Sequence, residues 1–327
     1  MESSAMDGVA ELVDRVVAGE PRAIGRMISW VEDGSPRLPE AMALVAARPG
    51  RAHVVGVTGP PGVGKSTMTS ALVSAWRTRG DRVGVIAVDP SSPFSGGALL
   101  GDRIRMHEHA TDPGVFIRSM ASRGHLGGLA ATTPQAVRIL AAAGFDIVIV
   151  ETVGVGQSEV DVAASADTTL VLLAPGMGDG IQAAKAGILE VGDVLCVNKA
   201  DREGAQASAR EVRQMLELSE RGPQDWQPVV VTSVASRGEV DEVLAALDAH
   251  REFAESTGVD RVRRHRRAVD EVTAVTLAQI ERRLATIDAA FLADLADQVA
   301  SGDLDPFTAA DRLRAHLGID ADGAMPG

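Results

Sequence analysis

His53-Val54-Val55-Gly56-Val57-Thr58-Gly59-Pro60-Pro61-Gly62-Val63-Gly64-Lys65-Ser66-Thr67 is the stretch that decides the fold. Its first six residues read as a short buried strand. A glycine-rich turn follows, then a helical pattern through Arg79. Glycines in such a turn let successive backbone amides converge on the β- and γ-phosphates of a nucleotide. They do so at a helix N-terminus, where the dipole favours anions. Lys65 is placed to neutralise phosphate charge, and the Ser66 hydroxyl is a ligand for Mg²⁺. A strand before the loop and a helix after it are the context this P-loop motif requires. The expected phosphate cradle therefore runs through Gly59, Pro60, Pro61, Gly62, Val63, Gly64, Lys65, Ser66 and Thr67.

Outward from this stretch, apolar strands recur. Val83 to Val88 reads as a second strand ending at Asp89, and others fall at 146–151, 169–174, 194–198 and 229–232, with helical stretches between. Near-continuous apolar strands alternating with helices predict an α/β fold, a P-loop NTPase whose mostly parallel sheet is covered by helices on both faces. Residues 90–114 are rich in Ser, Gly and Pro and poor in regular pattern. A loop that long inside a compact domain is usually functional.

The lysines fall in the same kind of context. The chain has three lysines among 32 basic residues. Lys65 closes the glycine loop, Lys199 sits in Asn198-Lys199-Ala200-Asp201, and Lys185 lies in the glycine-rich stretch 176–185. Elsewhere positive charge is arginine, whose wide planar fork does not replace a compact ammonium in a tight phosphate loop.

Three further segments carry chemistry. Asn198-Lys199-Ala200-Asp201 ends a strand. Guanine offers an N1–H and a 2-amino group that one carboxylate accepts together, the role that fits Asp201, while Asn198 and the Lys199 stem wall the base. Adenine offers neither donor and should be rejected strongly. Glu151-Thr152-Val153-Gly154 ends the strand at 147–150. Glu151 would hold Mg²⁺ through water, and the Gly154 amide would bond the γ-phosphate. Small GTPases place a water-orienting Gln directly after that glycine. Here the residue is Val155, so intrinsic hydrolysis should be slow. Asp89-Pro90-Ser91-Ser92 ends a strand as well, and Asp89 reads either as support for the metal and water or as a turn cap. Asp102 and Arg105 are looser candidates. The expected metal set is thus Ser66, Asp89 and Glu151. Ser233, Val234 and Ala235 resemble the last guanine-contacting loop of GTPases, read through backbone amides.

Other features point away from competing functions. A net charge of −13 argues against nucleic acid or an anionic membrane as the main partner. The one cysteine, Cys196, lies in an apolar run and reads as a buried hydrophobe, so neither a disulfide framework nor a thiolate metal cluster is expected. His107-Glu108-His109 invites a metal reading, but residues two apart on a helix do not face together. The basic run from Arg261 to Arg267 reads as a solvated face or an acidic-partner contact. An acidic N-terminus without a basic, then apolar, leader predicts a cytoplasmic protein.

Residues 1–50 read as a helical extension broken at Gly19-Glu20-Pro21, residues 51–250 as the GTPase domain and residues 251–327 as a helical extension. Val269, Val272, Leu277, Ile280, Leu284 and Ile287 form an apolar stripe along one long helix, continued by Phe291, Leu292 and Leu295. The stripe either packs on its own domain or forms a dimer seam.

The glycine loop, Asp-Pro-Ser-Ser at 89–92, Glu-Thr-Val-Gly-Val-Gly-Gln-Ser-Glu at 151–159, the 176–185 loop and Asn-Lys-Ala-Asp together resemble the G-protein chaperones of methylmalonyl-CoA mutase, over nearly the whole chain. That resemblance implies slow, Mg²⁺-dependent hydrolysis of GTP to GDP and a homodimer to which the C-terminal helices contribute. It also implies binding to the adenosylcobalamin-dependent mutase, gating its cofactor loading and protecting it. It casts 176–185 as a switch loop in which Gln182 and Lys185 respond to nucleotide and mutase. Two relatives of this reading are a metal-insertion GTPase and a nucleotide-dependent kinase linked to amino-acid transport. A module that holds GTP without turnover is a third.

Overall fold

The computed structural model describes residues 8–48, 50–90, 107–109, 111–122, 128–152, 164–176, 191–217, 222 and 224–318. Seven strands form one parallel sheet: β1 (His53–Thr58), β2 (Val83–Pro90), β3 (Val115–Ser122), β4 (Ile147–Thr152), β5 (Thr168–Leu173), β6 (Val194–Asn198) and β7 (Val229–Ser233). Their order is β3-β2-β4-β1-β5-β6-β7. The strand that feeds the glycine loop is thus central, with Val57 in register with Glu151 on β4 and with Leu170 on β5.

Helices cover both faces, which explains why the strands are apolar at every position. Val54, Ile86, Val148 and Val150 point into one core, with α1 (Val9–Val17), α2 (Pro21–Asp33), α3 (Leu38–Ala46) and α5 (Gly128–Ala142). Val55, Val57, Val85, Ile149 and Leu172 point into the other, with α4 (Lys65–Arg79) and α7 (Asp241–Thr257). Val171, Leu173, Leu195 and Val197 meet α6 (Ala205–Glu217). The helical pair flanking Gly19 forms as the sequence predicts, and its buried residues share a core with the sheet.

Two elements have no counterpart in the sequence reading. The edge strand β3 was hidden because Arg118 and Ser119 interrupt its apolar run. The strand still buries Phe116 and Met120, and Arg118 pairs with Glu32 and donates to Ser29 Oγ at 3.0 Å, both on α2. Helix α3 was the second, a short helix led by Leu38-Pro39.

The chain divides into a unit of residues 1–271 and a unit of residues 272–327. The long helix α8 (Val259–Leu284) ends sooner than its apolar stripe suggests. Asp288 caps a new helix, α9 (Ala289–Ser301), by accepting from the Ala290 amide at 3.0 Å. Asp305 caps α10 (Pro306–His316) in the same way. Phe291 stacks on His316 at 4.3 Å between ring centroids. Among the described residues no helix is long and apolar enough to cross a membrane.

Candidate functional site

The glycine loop leaves the tip of β1 and enters α4 at Lys65. Two of its glycines are required by geometry. At Gly59, φ is +138°, and a Cβ would lie 2.2 Å from the Leu172 carbonyl oxygen of β5. At Gly64, φ is +97°, and a Cβ would lie 2.6 Å from Asn198 Nδ2. Any side chain at either position would push the loop off the strands that support it.

Lys65 is buried and folds back over the loop, with Nζ donating to the carbonyl oxygens of Gly59 at 2.5 Å and Pro60 at 3.1 Å. The Ser66 hydroxyl donates to Glu151 Oε1 at 2.7 Å. Glu151 is buried at the tip of β4, so hydroxyl and carboxylate meet where the loop enters its helix. Pro61, Gly62 and Thr67 are exposed. Thr67 and Ser66 line an open cleft of about 600 Å³ that runs along α4 beneath Ala235 and Ser236.

The Asn-Lys-Ala-Asp segment at the end of β6 is bonded directly to this loop. Asn198 Nδ2 donates to the Val63 carbonyl at 2.8 Å, and its Oδ1 accepts from the Ala235 amide at 3.2 Å. One buried side chain thus ties the phosphate loop to the turn after β7. Lys199 has φ +58°, and its Nζ donates to the Gly62 carbonyl at 2.5 Å. A left-handed backbone at a lysine is uncommon and costs about 1–3 kcal/mol, which the surrounding contacts must offset. Asp201 is exposed, with Arg237 Nη2 at 3.3 Å. Ser233 donates from Oγ to the Glu239 carbonyl at 2.6 Å, and Val234 forms an isolated bridge with Glu239. Ala235, expected to offer its amide to the base, gives it to Asn198.

Gly154, Gln182 and Lys185 lie outside the described residues, as do Val155, Asp102 and Arg105. Asp89 is on β2 opposite Ala121, and its side chain lies outside the description.

The remaining motifs have structural roles. Cys196 is buried, and burial pushes its thiol up to about 12, which leaves it inert. His109 packs on α4, with Nε2 3.1 Å from Ser70 Oγ. Among the described residues no cluster of three His, Cys, Asp or Glu could hold a metal.

The basic run is not simply a solvated face. At the amino ends of β5 and β6, Asp167 accepts from the Val54 amide and Asp193 from the Thr169 amide, both at 2.9 Å. Arg263 grips Asp193 with two nitrogens at 2.8 Å, and Arg267 pairs with Asp167. Burial alone would raise both carboxyls. Arg267 and the Val54 amide overcome it at Asp167, and Arg263 with His250 at Asp193, so both lie below the ordinary range. His53, bonded to Thr168 Oγ1 at 3.0 Å, is held neutral, and burial lowers its pKa to about 4. A signal for this clamp existed: Arg263 and Arg267 are four apart and so share a helix face.

A lysine-closed glycine loop on the central strand of a parallel sheet, stapled by Asn198 to the turn after the last strand, defines the class: a P-loop NTPase. Residues 24–289 match the model of the methylmalonyl Co-A mutase-associated GTPase MeaB, and the chain belongs to that GTPase family. It is 43% identical over 309 residues to a putative GTPase of Pyrococcus abyssi (strain GE5 / Orsay), covering 93% of this chain and 95% of that protein. It is 40% identical over 247 residues to the GTPase ArgK of Escherichia coli (strain K12), covering 73% and 75%. A crystal structure of a LAO/AO transport system kinase matches with a TM-score of 0.69 at 27% identity, over 97% of this chain and 99% of that one.

Proposed function

We propose that the protein is a cytoplasmic Mg²⁺-dependent GTPase that chaperones an adenosylcobalamin-dependent methylmalonyl-CoA mutase. In this role it gates cofactor loading and protects or reactivates the mutase. The observation that carries the nucleotide part is the Asn198 bridge from Val63 to Ala235. It couples the phosphate loop to the segment that ends in Asp201. Membership of a family described by its association with the mutase supports the partner.

In this reading the amides of residues 59–67 receive the phosphates. The Lys65 ammonium exchanges the Gly59 and Pro60 carbonyl oxygens for phosphate oxygens, since both are neutral acceptors. Asp201 accepts from the guanine edge. The donor set suits Mg²⁺: a hydroxyl and a buried carboxylate, Ser66 and Glu151, already meet at 2.7 Å, with Asp89 on the adjacent strand. When bound, the cation would neutralise charge on the β- and γ-phosphates. The Gly154 amide bonds the γ-phosphate.

No glutamine follows Gly154 directly, so basal hydrolysis is slow. Docking of the mutase brings Gln182 and Lys185 to bear. A group supplied on partner docking can raise the rate by about 10³–10⁵. The active form is a homodimer. Val269 is 53% exposed, Val272 67% and Leu277 48%, an apolar stripe that a second copy would cover.

The test is GTP turnover by the purified protein, alone and with methylmalonyl-CoA mutase, with ATP as control. Slow turnover specific to GTP that rises with mutase is expected. Turnover indifferent to mutase would remove the chaperone role. Comparable ATP turnover would favour a kinase.

A further inference from the structure

The far rim of the sheet holds a cleft that the GTPase cycle does not use. Three segments converge on it: the approach to β1 at Arg51, the last turns of α7 at Arg251 and Glu255, and the first turns of α8 at Asp260, Arg261 and Arg264. Its volume is about 350 Å³. Four of these six charged side chains are arginine, in a chain of net charge −13.

The acids are already engaged. Glu255 accepts from Arg251 at 3.1 Å, and Asp260 pairs with Arg264 at 3.2 Å. The side chains of Arg51 and Arg261 have no hydrogen bond or ion pair among the described residues. Both side chains belong to well-fixed backbone. A Cβ at Gly50 would lie 1.7 Å from the Ala141 carbonyl oxygen, so the segment carrying Arg51 lies directly on α5. Gly258, with φ +77°, makes the corner before α8, and the Arg261 guanidinium lies against it, with Nη2 3.0 Å from where a Cβ would stand. Two guanidinium forks held over a concave surface are the geometry that grips a phosphate through paired N–H donors.

The cleft is not isolated. It shares Arg51, Ala52 and Arg264 with a neighbouring chamber of about 290 Å³. That chamber is walled mainly by apolar groups, among them Val45, Val54, Val137, Ala141 and Ala268. A charged cleft opening on an apolar chamber is what a ligand with an anionic head and an apolar body requires.

We propose that this rim is a second binding site for a small phosphorylated molecule. Its phosphate sits between Arg51 and Arg261, and its apolar portion occupies the adjoining chamber. A folded acidic surface could not enter a cleft of this size, which favours a small ligand over a protein partner. The bound molecule would rest against Arg264, which stands 3.7 Å from Asp167 in the buried clamp.

The probes are inorganic phosphate and hexyl phosphate, titrated calorimetrically into protein saturated with GDP so that the glycine loop is occupied. Lys65→Ala, titrated in parallel without nucleotide, separates this site from the loop independently. Hexyl phosphate should bind both forms, about tenfold or more tighter than phosphate, given roughly 0.8 kcal/mol per buried methylene. The exposed pair Arg51→Gln/Arg261→Gln should weaken it by about tenfold or more. The equally exposed pair Arg22→Gln/Arg210→Gln should leave it unchanged. No binding, or equal binding by the Arg51→Gln/Arg261→Gln protein, overturns the site. Equal affinity for the two probes overturns the role of the chamber.

Discussion

At the carboxyl ends of the strands, Lys65 and Lys199 donate to backbone carbonyl oxygens of a glycine loop. At the amino ends, Asp167 and Asp193 are buried under arginine forks and also accept strand amides. The first rim holds cations on neutral acceptors, which an anion can displace. The second compensates each buried charge with an opposite one, which nothing displaces without a large penalty. The difference sets exchangeable bonds at the rim of the proposed nucleotide site against closed ones at the other, on the same strands.

The sharpest way to break this division is Lys65→Ala. GTP turnover should fall by about 10²–10³-fold, the effect of removing one group that stabilises transition-state charge. The denaturation midpoint should change little, since its bonds to the Gly59 and Pro60 carbonyl oxygens are to neutral acceptors. Asp193→Ala should do the opposite. It strands Arg263 and the Thr169 amide, and urea denaturation should show a loss of about 3 kcal/mol.

Titration sharpens the comparison further. His53 has its pKa depressed from 6.5 to about 4, so its contribution is present above pH 6.5 and lost as pH falls towards 4. That shift corresponds to about 3 kcal/mol at most. Asp167 and Asp193 are depressed as well, so their contribution is lost only below their ordinary value of 3.8. A denaturation series from pH 7 to pH 4.5 should therefore slope downward in the wild type and flatten in His53→Asn. Equal slopes would assign the loss to other groups.

Asn198→Ala should act at both levels. It removes two buried hydrogen bonds, each worth about 1 kcal/mol, and frees the glycine loop from the Ala235 turn. GDP affinity should fall about tenfold together with a modest drop in thermal midpoint. The smallest effect on stability belongs to Val272→Ser. Val272 is exposed in the single chain, so monomer stability should change by less than about 0.5 kcal/mol. Sedimentation should nonetheless show a weakening of the proposed dimer.

The motifs of the carboxyl rim were legible in the sequence because they are written in contiguous residues. Gly59 through Lys65 and Asn198 through Asp201 each announce a role by local spacing. What the spacing did not show is that the two are bonded, Asn198 to Val63 across 135 positions. The amino rim was illegible for the same reason in a stronger form. Asp167 looks like an ordinary turn acid, and its partner Arg267 lies 100 residues away in a run that reads as surface charge. The edge strand β3 escaped because Arg118 breaks its apolar alternation, and only the fold supplies Glu32 as its counter-charge.

The most direct test sets the two rims side by side: GTP turnover per folded molecule and unfolding free energy, measured for Lys65→Ala and Asp193→Ala under the same conditions. The expected result is a crossed pattern. Lys65→Ala keeps its stability and loses turnover, while Asp193→Ala loses stability and keeps turnover per folded molecule. If Asp193→Ala abolished turnover in its folded fraction, or Lys65→Ala unfolded the protein, the division between the rims would be contradicted.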